Sequence, residues 1–408
     1  LFMKKFIMYG AGNIGRGFIG QSFSDAGYSV GFIDINKEVI ARLNQDKSYP
    51  VNVVTSDKNE EKIVKNVYGI DGGDAELVAE EIASCDMMAT AIGVNVLKFI
   101  AKPISLGIKK RAERNAKPLN IIICENLIGA YEFLKGLIKK ELPELGDYVD
   151  KNVGFIEASI GRMVPVMTEE KKQGNPLRVY VEPYNVLPVD KAAFKGEPPA
   201  EVKNLYPYSP FGLFIERKLF MHNMSHALCA YLGNLRGYEY IYQAANDFDI
   251  EYCAYRALVS SALAVSREND ADVKMLTEHA DNLLYRFKNR ALADTVKRVG
   301  KDTKRKLGSN DRLIGALKLC EKHKVEASYI CIGIAAGMLF APEDDESSKE
   351  LAAFAAENGV KKTLQTYSDY SGEHAELIEE LYADLKRGEK LASVLKTAEE
   401  LNNKTIKV

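Results

Sequence analysis

The chain has no tryptophan, only five histidines and no surplus of either charge: 55 Lys plus Arg face 57 Asp plus Glu, a formal −2. That balance excludes a protein whose main business is a polyanion, because phosphate-backbone binding needs a basic excess. Long hydrophobic runs are also missing. The longest, SYICIGIAAGMLFA at 328–341, falls short of the roughly 20 residues that a bilayer demands, so no membrane role is expected. Six cysteines (Cys85, Cys124, Cys229, Cys253, Cys320, Cys331) stand singly among apolar neighbours without any CxxC pair. They supply neither a zinc site nor a disulfide framework, and they read as buried thiols in a reducing, cytoplasmic compartment. The start is strand-like and runs straight into a glycine motif, so it does not read as a signal peptide, and Leu1 and Phe2 ahead of Met3 read as additions. No repeat or low-complexity tract occurs. What remains is a globular chain of 408 residues with 46% hydrophobic and 27% charged residues, long enough for two or three domains.

The first half alternates short apolar or β-branched runs at 6–9, 29–33, 86–91 and 120–124 with helical periodicity at 14–26, 37–43, 75–83 and 96–113. Such a βαβ series predicts a Rossmann-type, doubly wound, mostly parallel sheet. Extended segments follow between 153 and 190, including the alternating LRVYVE at 177–182, and then a stretch holding Pro198, Pro199, Pro207 and Pro210. Beyond Phe211 apolar residues recur at three- and four-residue spacing, predicting helices over 225–232, 250–266, 272–287, 313–323, 327–340, 348–358 and 374–386. The expected division is an α/β domain over 1–195 and a mainly α-helical domain over 196–408.

A dinucleotide site is expected at FIMYGAGNIG (residues 6–15), where a strand turns tightly into a helix. Gly10 permits the turn, Gly12 lets backbone approach a pyrophosphate, and Gly15 lets helix pack on strand. Ala11, Asn13 and Ile14 would offer backbone N–H groups at the positive end of the helix dipole. The second strand ends in Asp34, 22 positions after Gly12, where an acid accepts hydrogen bonds from a ribose 2′-hydroxyl and repels a 2′-phosphate. The reading is NAD rather than NADP. Thr90 and Gly93, closing a later strand, are expected beside the cofactor.

An alcohol dehydrogenase needs a base for the hydroxyl proton and donors for the developing alkoxide. His222 and His226 stand four apart, but no HExxH glutamate lies between them, so they read as two histidines on a helix face and no metal is expected. Lys218, Asn223 and His226 fall within about 140° of arc on a helix turning about 100° per residue. One face would then present an amine, an amide and an imidazole. The residues alone favour a solvated lysine and a capping asparagine over a catalytic face.

Several motifs together resemble the polyol-specific long-chain dehydrogenases: YGAGNIGRGFIG at 9–20, LNIIICEN at 119–126, ERKLF at 216–220 with Asn223 and His226, AYLG at 230–233, RKLG at 305–308 and DRL at 311–313. The resemblance implies NAD-dependent oxidation of a polyol phosphate to a keto-sugar phosphate, mannitol 1-phosphate to fructose 6-phosphate. It implies Lys218 as general base, Asn223 as donor to the alkoxide, and His226 as the group orienting substrate or lysine. It places Glu125 beside the active site and Asn126 at the cofactor; the alternative for Glu125 is an acid stabilised by a helix dipole. It also implies a monomer, and no heptad stripe argues otherwise.

Departures from the family pattern concentrate at 157–165. There EASIGRMVP keeps Arg162 but sets Glu157 where the family has Asn and Gly161 where it has Asp. A carboxylate stabilises an oxyanion only when protonated. Arg298, Arg305, Lys306 and Arg312 form a basic segment that could grip a sugar phosphate, the alternative being an ion-paired helix end. Its nearby acids and lack of interleaved aromatics give no nucleic-acid role. The competing functions are oxidation of an unphosphorylated polyol, reduction or oxidation of a sugar acid such as tagaturonate, and NAD sensing without turnover.

Overall fold

The computed structural model describes residues 3–405; Leu1 and Phe2, read above as additions, lie outside the described residues. The chain divides into two compact units between Phe211 and Gly212. In the first, six strands form one parallel sheet: β1 (Lys5–Tyr9), β2 (Ser29–Asp34), β5 (Val67–Asp71), β6 (Met87–Thr90), β7 (Leu119–Ile123) and β8 (Val153–Glu157). Their spatial order is β5-β2-β1-β6-β7-β8. Counted along the parallel strands alone, this is the 3-2-1-4-5-6 order of a dinucleotide-binding sheet. Side-chain alternation fills both faces: Phe6 and Met8 pack with Phe18, Phe23 and Phe32 on one side, and Ile7 and Tyr9 with Ile100, Ile104 and Ile138 on the other. A strand buried on both sides needs an unbroken apolar run, which is why all four runs read from the sequence are strands of this sheet.

The sequence signal missed β3 (Ser48–Val54) and β4 (Asn59–Lys65), an antiparallel pair extended in parallel by β9 (Val179–Val181). The β4 strand, NEEKIVK, buries only Val64, so its side chains show no alternation, and β3 carries Pro50. The domain boundary also lies beyond the expected 195. The proline-bearing stretch is no linker: β10 (Leu187–Asp190) pairs in parallel with β11 (Leu205–Tyr208), placing Val189 opposite Pro207 inside the first unit.

The second unit is helical, and each of the seven helices expected there is present, among them Met224–Leu235, Phe248–Asn269, Val273–Phe287 and Ser328–Met338. Ser328–Met338 is buried along its whole length, which explains why its apolar residues run on without a polar face. Among the described residues no helix is long and apolar enough to cross a membrane.

Candidate active site

The glycine loop follows β1 directly. Gly10 has φ +107°, and a Cβ there would stand 2.5 Å from the Ala91 carbonyl oxygen. Gly15 is closer still, because its Cβ would meet the Gly10 carbonyl oxygen at 2.1 Å. Gly12 is exposed and has nothing within 4 Å of that position, leaving open space where a ligand's backbone-bound phosphates belong. The helix expected over 14–26 is there but opens with a π-turn, Gly15–Gly20, before Gln21–Asp25. Asp34 ends β2 as expected. Its Oδ2 accepts the Ala11 N–H at 2.8 Å and its Oδ1 the Asn36 N–H at 2.9 Å. The carboxylate thus ties the glycine loop to β2 while keeping lone pairs for a ribose hydroxyl. These residues fit a dinucleotide.

Of the other cofactor residues expected, Asn13 and Ile14 are half-buried, whereas Gly93 and Asn126 are exposed. Thr90 is fully buried: its carbonyl accepts the Cys124 N–H at 2.9 Å, and its hydroxyl has no hydrogen-bond partner. Glu125 is buried, and its two oxygens accept the Ile92 and Gly93 N–H groups at 3.0 and 2.8 Å. It fastens the loop after β6 to the loop after β7, a positioning contact that neither reading from sequence had described.

The family-matching Arg162 is a buried clamp. Its guanidinium donates to the Glu182 and Gly17 carbonyls and to Gln21 Oε1, each at 3.0 Å. Glu157, at the end of β8, has its carboxyl pushed up by burial, opposed by the Gly129 N–H and reinforced by Asp190 and Glu132. That shift is toward the protonated form, the one that can donate to an oxyanion. At Gly161 a Cβ would approach the Tyr184 ring to 3.2 Å, so the ring takes up space beside the glycine.

In the second unit, Lys218 and Asn223 belong to a π-helical segment, Arg217–Asn223, that leads into Met224–Leu235. The arc worked out for an α-helix therefore does not apply. A π-turn closes residue i onto i+5, which sets Lys218 and Asn223 one turn apart on the same side. His226 stacks on Phe287 with centroids 4.8 Å apart and planes at 13°, and His222 meets it edge-on at 6.0 Å. His226 Nε2 lies 3.4 Å from Asp294 Oδ2.

Burial drives the His222 imidazole well below the usual histidine range, and Lys218, Arg286, His226 and His279 push the same way. His279 is lowered by burial and by Arg217, Arg286 and Lys218. His279, Arg286 and Asp294 were not singled out from sequence. The first two sit seven apart on Val273–Phe287, a spacing that returns to the same helix face. Among the described residues, neither His222 nor His226 joins a cluster with metal-ligand geometry; such a cluster occurs elsewhere, at Glu321, Glu373 and His374.

The basic segment is held by its own acids. Arg298 makes a two-pronged contact with Asp294, both N···O distances 2.6 Å. Arg305 pairs with Asp302 at 2.6 Å and approaches Asp311 at 3.4 Å, while Arg312 pairs with Asp311 at 2.8 Å. Lys306 is buried and donates to the Val299 carbonyl. Burial, then Arg312, Arg305 and Arg298, bring its ammonium down to about 7.

Comparison with known proteins covers both units. The family profile for the mannitol dehydrogenase Rossmann domain matches residues 4–202, and that for the mannitol dehydrogenase C-terminal domain matches 212–401. A mannitol-1-phosphate 5-dehydrogenase of Caldanaerobacter subterraneus subsp. tengcongensis is 36% identical over 392 residues, 94% of this chain and 99% of the relative. One from Clostridium acetobutylicum is 38% identical, covering 89% and 94%. Among solved structures, substrate-free D-sorbitol dehydrogenase aligns with TM-score 0.79 at 17% identity over 97% of this chain and 95% of that one. The Pseudomonas fluorescens mannitol 2-dehydrogenase ternary complex with NAD and D-mannitol aligns with TM-score 0.75 at 16% identity over 98% and 95%.

Proposed function

Since the chain belongs to the mannitol dehydrogenase family, we propose that it is a metal-independent, NAD-dependent dehydrogenase of a polyol phosphate, converting mannitol 1-phosphate to fructose 6-phosphate. The observation that carries the catalytic part is the basic cluster about Lys218. Lys218 acts electrostatically on His222, His226 and His279, whose imidazoles burial holds toward the neutral form. A neutral lysine amine can take the proton of the reacting hydroxyl. The Asn223 amide, one π-turn away, donates to the alkoxide that forms, and His226 orients a hydroxyl. NAD, when bound, accepts the hydride. Asp34 holds its ribose, and the N–H groups from Ala11 onward hold its phosphates.

The phosphate on the substrate is supported by the relatives' names and by the basic segment about Lys306, on whose ammonium Arg312, Arg305 and Arg298 act. An unphosphorylated polyol is the second reading, favoured by the acid partners that Arg298, Arg305 and Arg312 already have. Following NADH oxidation with fructose 6-phosphate, fructose and tagaturonate in parallel tests both. Turnover with fructose 6-phosphate is expected. Turnover confined to fructose or tagaturonate removes the phosphate from the proposal, and turnover with none of the three leaves an NAD-binding protein.

A further inference from the structure

Asp294 lies in no motif, yet it joins two groups of the proposed site. Its backbone is held independently of its side chain: the Ile241 N–H donates to the Asp294 carbonyl at 2.9 Å, and Tyr240 bridges to Thr295. Thr295 then caps the helix Val296–Gly300 by accepting the Arg298 N–H at 3.2 Å. The carboxylate is consequently delivered at a fixed point, 10% exposed, with both oxygens on Arg298 and Oδ2 also 3.4 Å from His226 Nε2.

His226 is fixed from its other side by the parallel Phe287 ring. Its Nε2 is buried and closes no hydrogen bond within normal limits. The ring is thus held in orientation while its proton is decided by what faces each nitrogen. A carboxylate only accepts, so it favours a proton on Nε2 over a lone pair there. The charged groups around the ring are Asp294, Arg298 and Lys218, with His222 edge-on and, behind it, Arg286 and His279. Burial lowers the imidazole, Arg298 and Lys218 add to this, and Asp294 opposes them. A neutral ring with one proton results. Burial would raise the Asp294 carboxyl, but His226 and Arg298 pull it down to about 2, so it stays an anion wherever the ring is neutral.

We propose that Asp294 is a positioning residue that holds His226 in the Nε2–H tautomer, leaving Nδ1 with a lone pair to accept a hydrogen bond from a hydroxyl of the substrate. The inference rests on the polyol reading for the substrate, but the tautomer can be measured without it. Apo contacts of this kind are commonly long and tighten when substrate binds.

With only five histidines in the chain, ¹⁵N-histidine NMR of the full-length protein resolves the ring nitrogens, and the His226→Gln spectrum assigns the pair that disappears. The expected result is a protonated Nε2 and an unprotonated Nδ1 for His226. A protonated Nδ1 overturns the proposal. Asp294→Asn offers both an oxygen and an NH₂ to the ring, so the tautomer should become mixed or reverse. Its kcat/KM should fall about 10- to 100-fold, as for loss of a group orienting a ligand histidine, with NADH affinity unchanged. An unaltered tautomer in Asp294→Asn overturns the proposal whatever happens to activity. Failure of the wild-type protein to oxidise any polyol overturns the reading of the site, and the NMR result still decides the tautomer.

Discussion

The glycine loop and the lysine helix each contain a π-turn, and they use it differently. Gly15–Gly20 has glycine at its first, third and last positions, where a side chain would collide with what lies beside it: a Cβ on Gly17 would stand 2.8 Å from Val181 Cγ1, and one on Gly20 2.8 Å from the Gly15 carbonyl oxygen and closer still to the Phe32 ring. The cofactor site proposed there would work with backbone N–H groups, so its specification is the absence of side chains. Arg217–Asn223 holds no glycine, and its turn carries Lys218 and Asn223. There the proposed chemistry would lie in side chains, with His279 and Arg286 on Val273–Phe287 acting on His222, and Asp294 beyond that helix acting on His226. One site is made by removing atoms within a single stretch of chain, the other by gathering charges from three.

That contrast is sharpest at Lys218. Lys218→Ala should lower kcat by roughly 10²–10⁴, the usual loss for a positioned acid–base group, with NADH binding by fluorescence titration nearly unaltered. The ionisation attributed to lysine should vanish from the pH profile of polyol oxidation. Near-normal turnover with an unchanged profile would take Lys218 out of the mechanism. The converse experiment is Gly15→Ala. A Cβ at 2.1 Å from the Gly10 carbonyl oxygen forces backbone movement, costing about 1–3 kcal/mol as overpacking does. Thermal unfolding should register that loss together with loss of NADH binding. Retention of both would show that the loop is not built by close approach.

Asp34→Ala removes an acceptor from Ala11 and Asn36 as well as from the ribose. A charge-assisted hydrogen bond contributes about 1.5–3 kcal/mol, so NAD affinity should weaken by roughly 10- to 100-fold, and discrimination against NADP should relax. A wild-type enzyme already using NADPH as well as NADH would contradict the assignment.

Lys306 gives a smaller, pH-dependent effect. With its folded value near 7 against 10.5 unfolded, the unfolded chain binds more protons between these limits, so stability should rise as pH climbs through that window. Lys306→Met should flatten this part of a plot of Tm against pH; an unchanged slope would mean that the ammonium is not disfavoured by its surroundings. The smallest effect is expected at Arg305, whose half-exposed side chain pairs with Asp302. Arg305→Ala should raise KM for a phosphorylated substrate a few-fold more than for its unphosphorylated counterpart, and barely alter stability. Equal changes in the two KM values would assign Arg305 to the ion-paired surface.

Much of the first unit was legible because its signals are short-range. Continuous apolar runs mark strands buried on both faces, and the glycine spacing with Asp34 depends on one βαβ unit. β4 has almost no pattern to read because it is an edge strand with one buried residue, and β3 carries Pro50, which marks irregular chain. The prolines at 198–210 suggest a domain boundary because proline marks irregular chain, whereas the pairing of β10 with β11 is set by residues about twenty positions apart.

By itself the sequence determined the parallel sheet, the helical second half, the glycine loop and the acid at Asp34, since each follows from local spacing and residue type; the Lys218–Asn223–His226 series stands out only through its resemblance to the family's motif. Only the tertiary structure decided that Glu125 fastens two loops, that Lys218, His279 and Arg286 all act on the buried His222, and that Asp294 faces both His226 and Arg298. These depend on burial and on charge–charge distances between segments far apart in the chain. Coulomb energy and desolvation are functions of position in space, and position is what the packing of helices supplies.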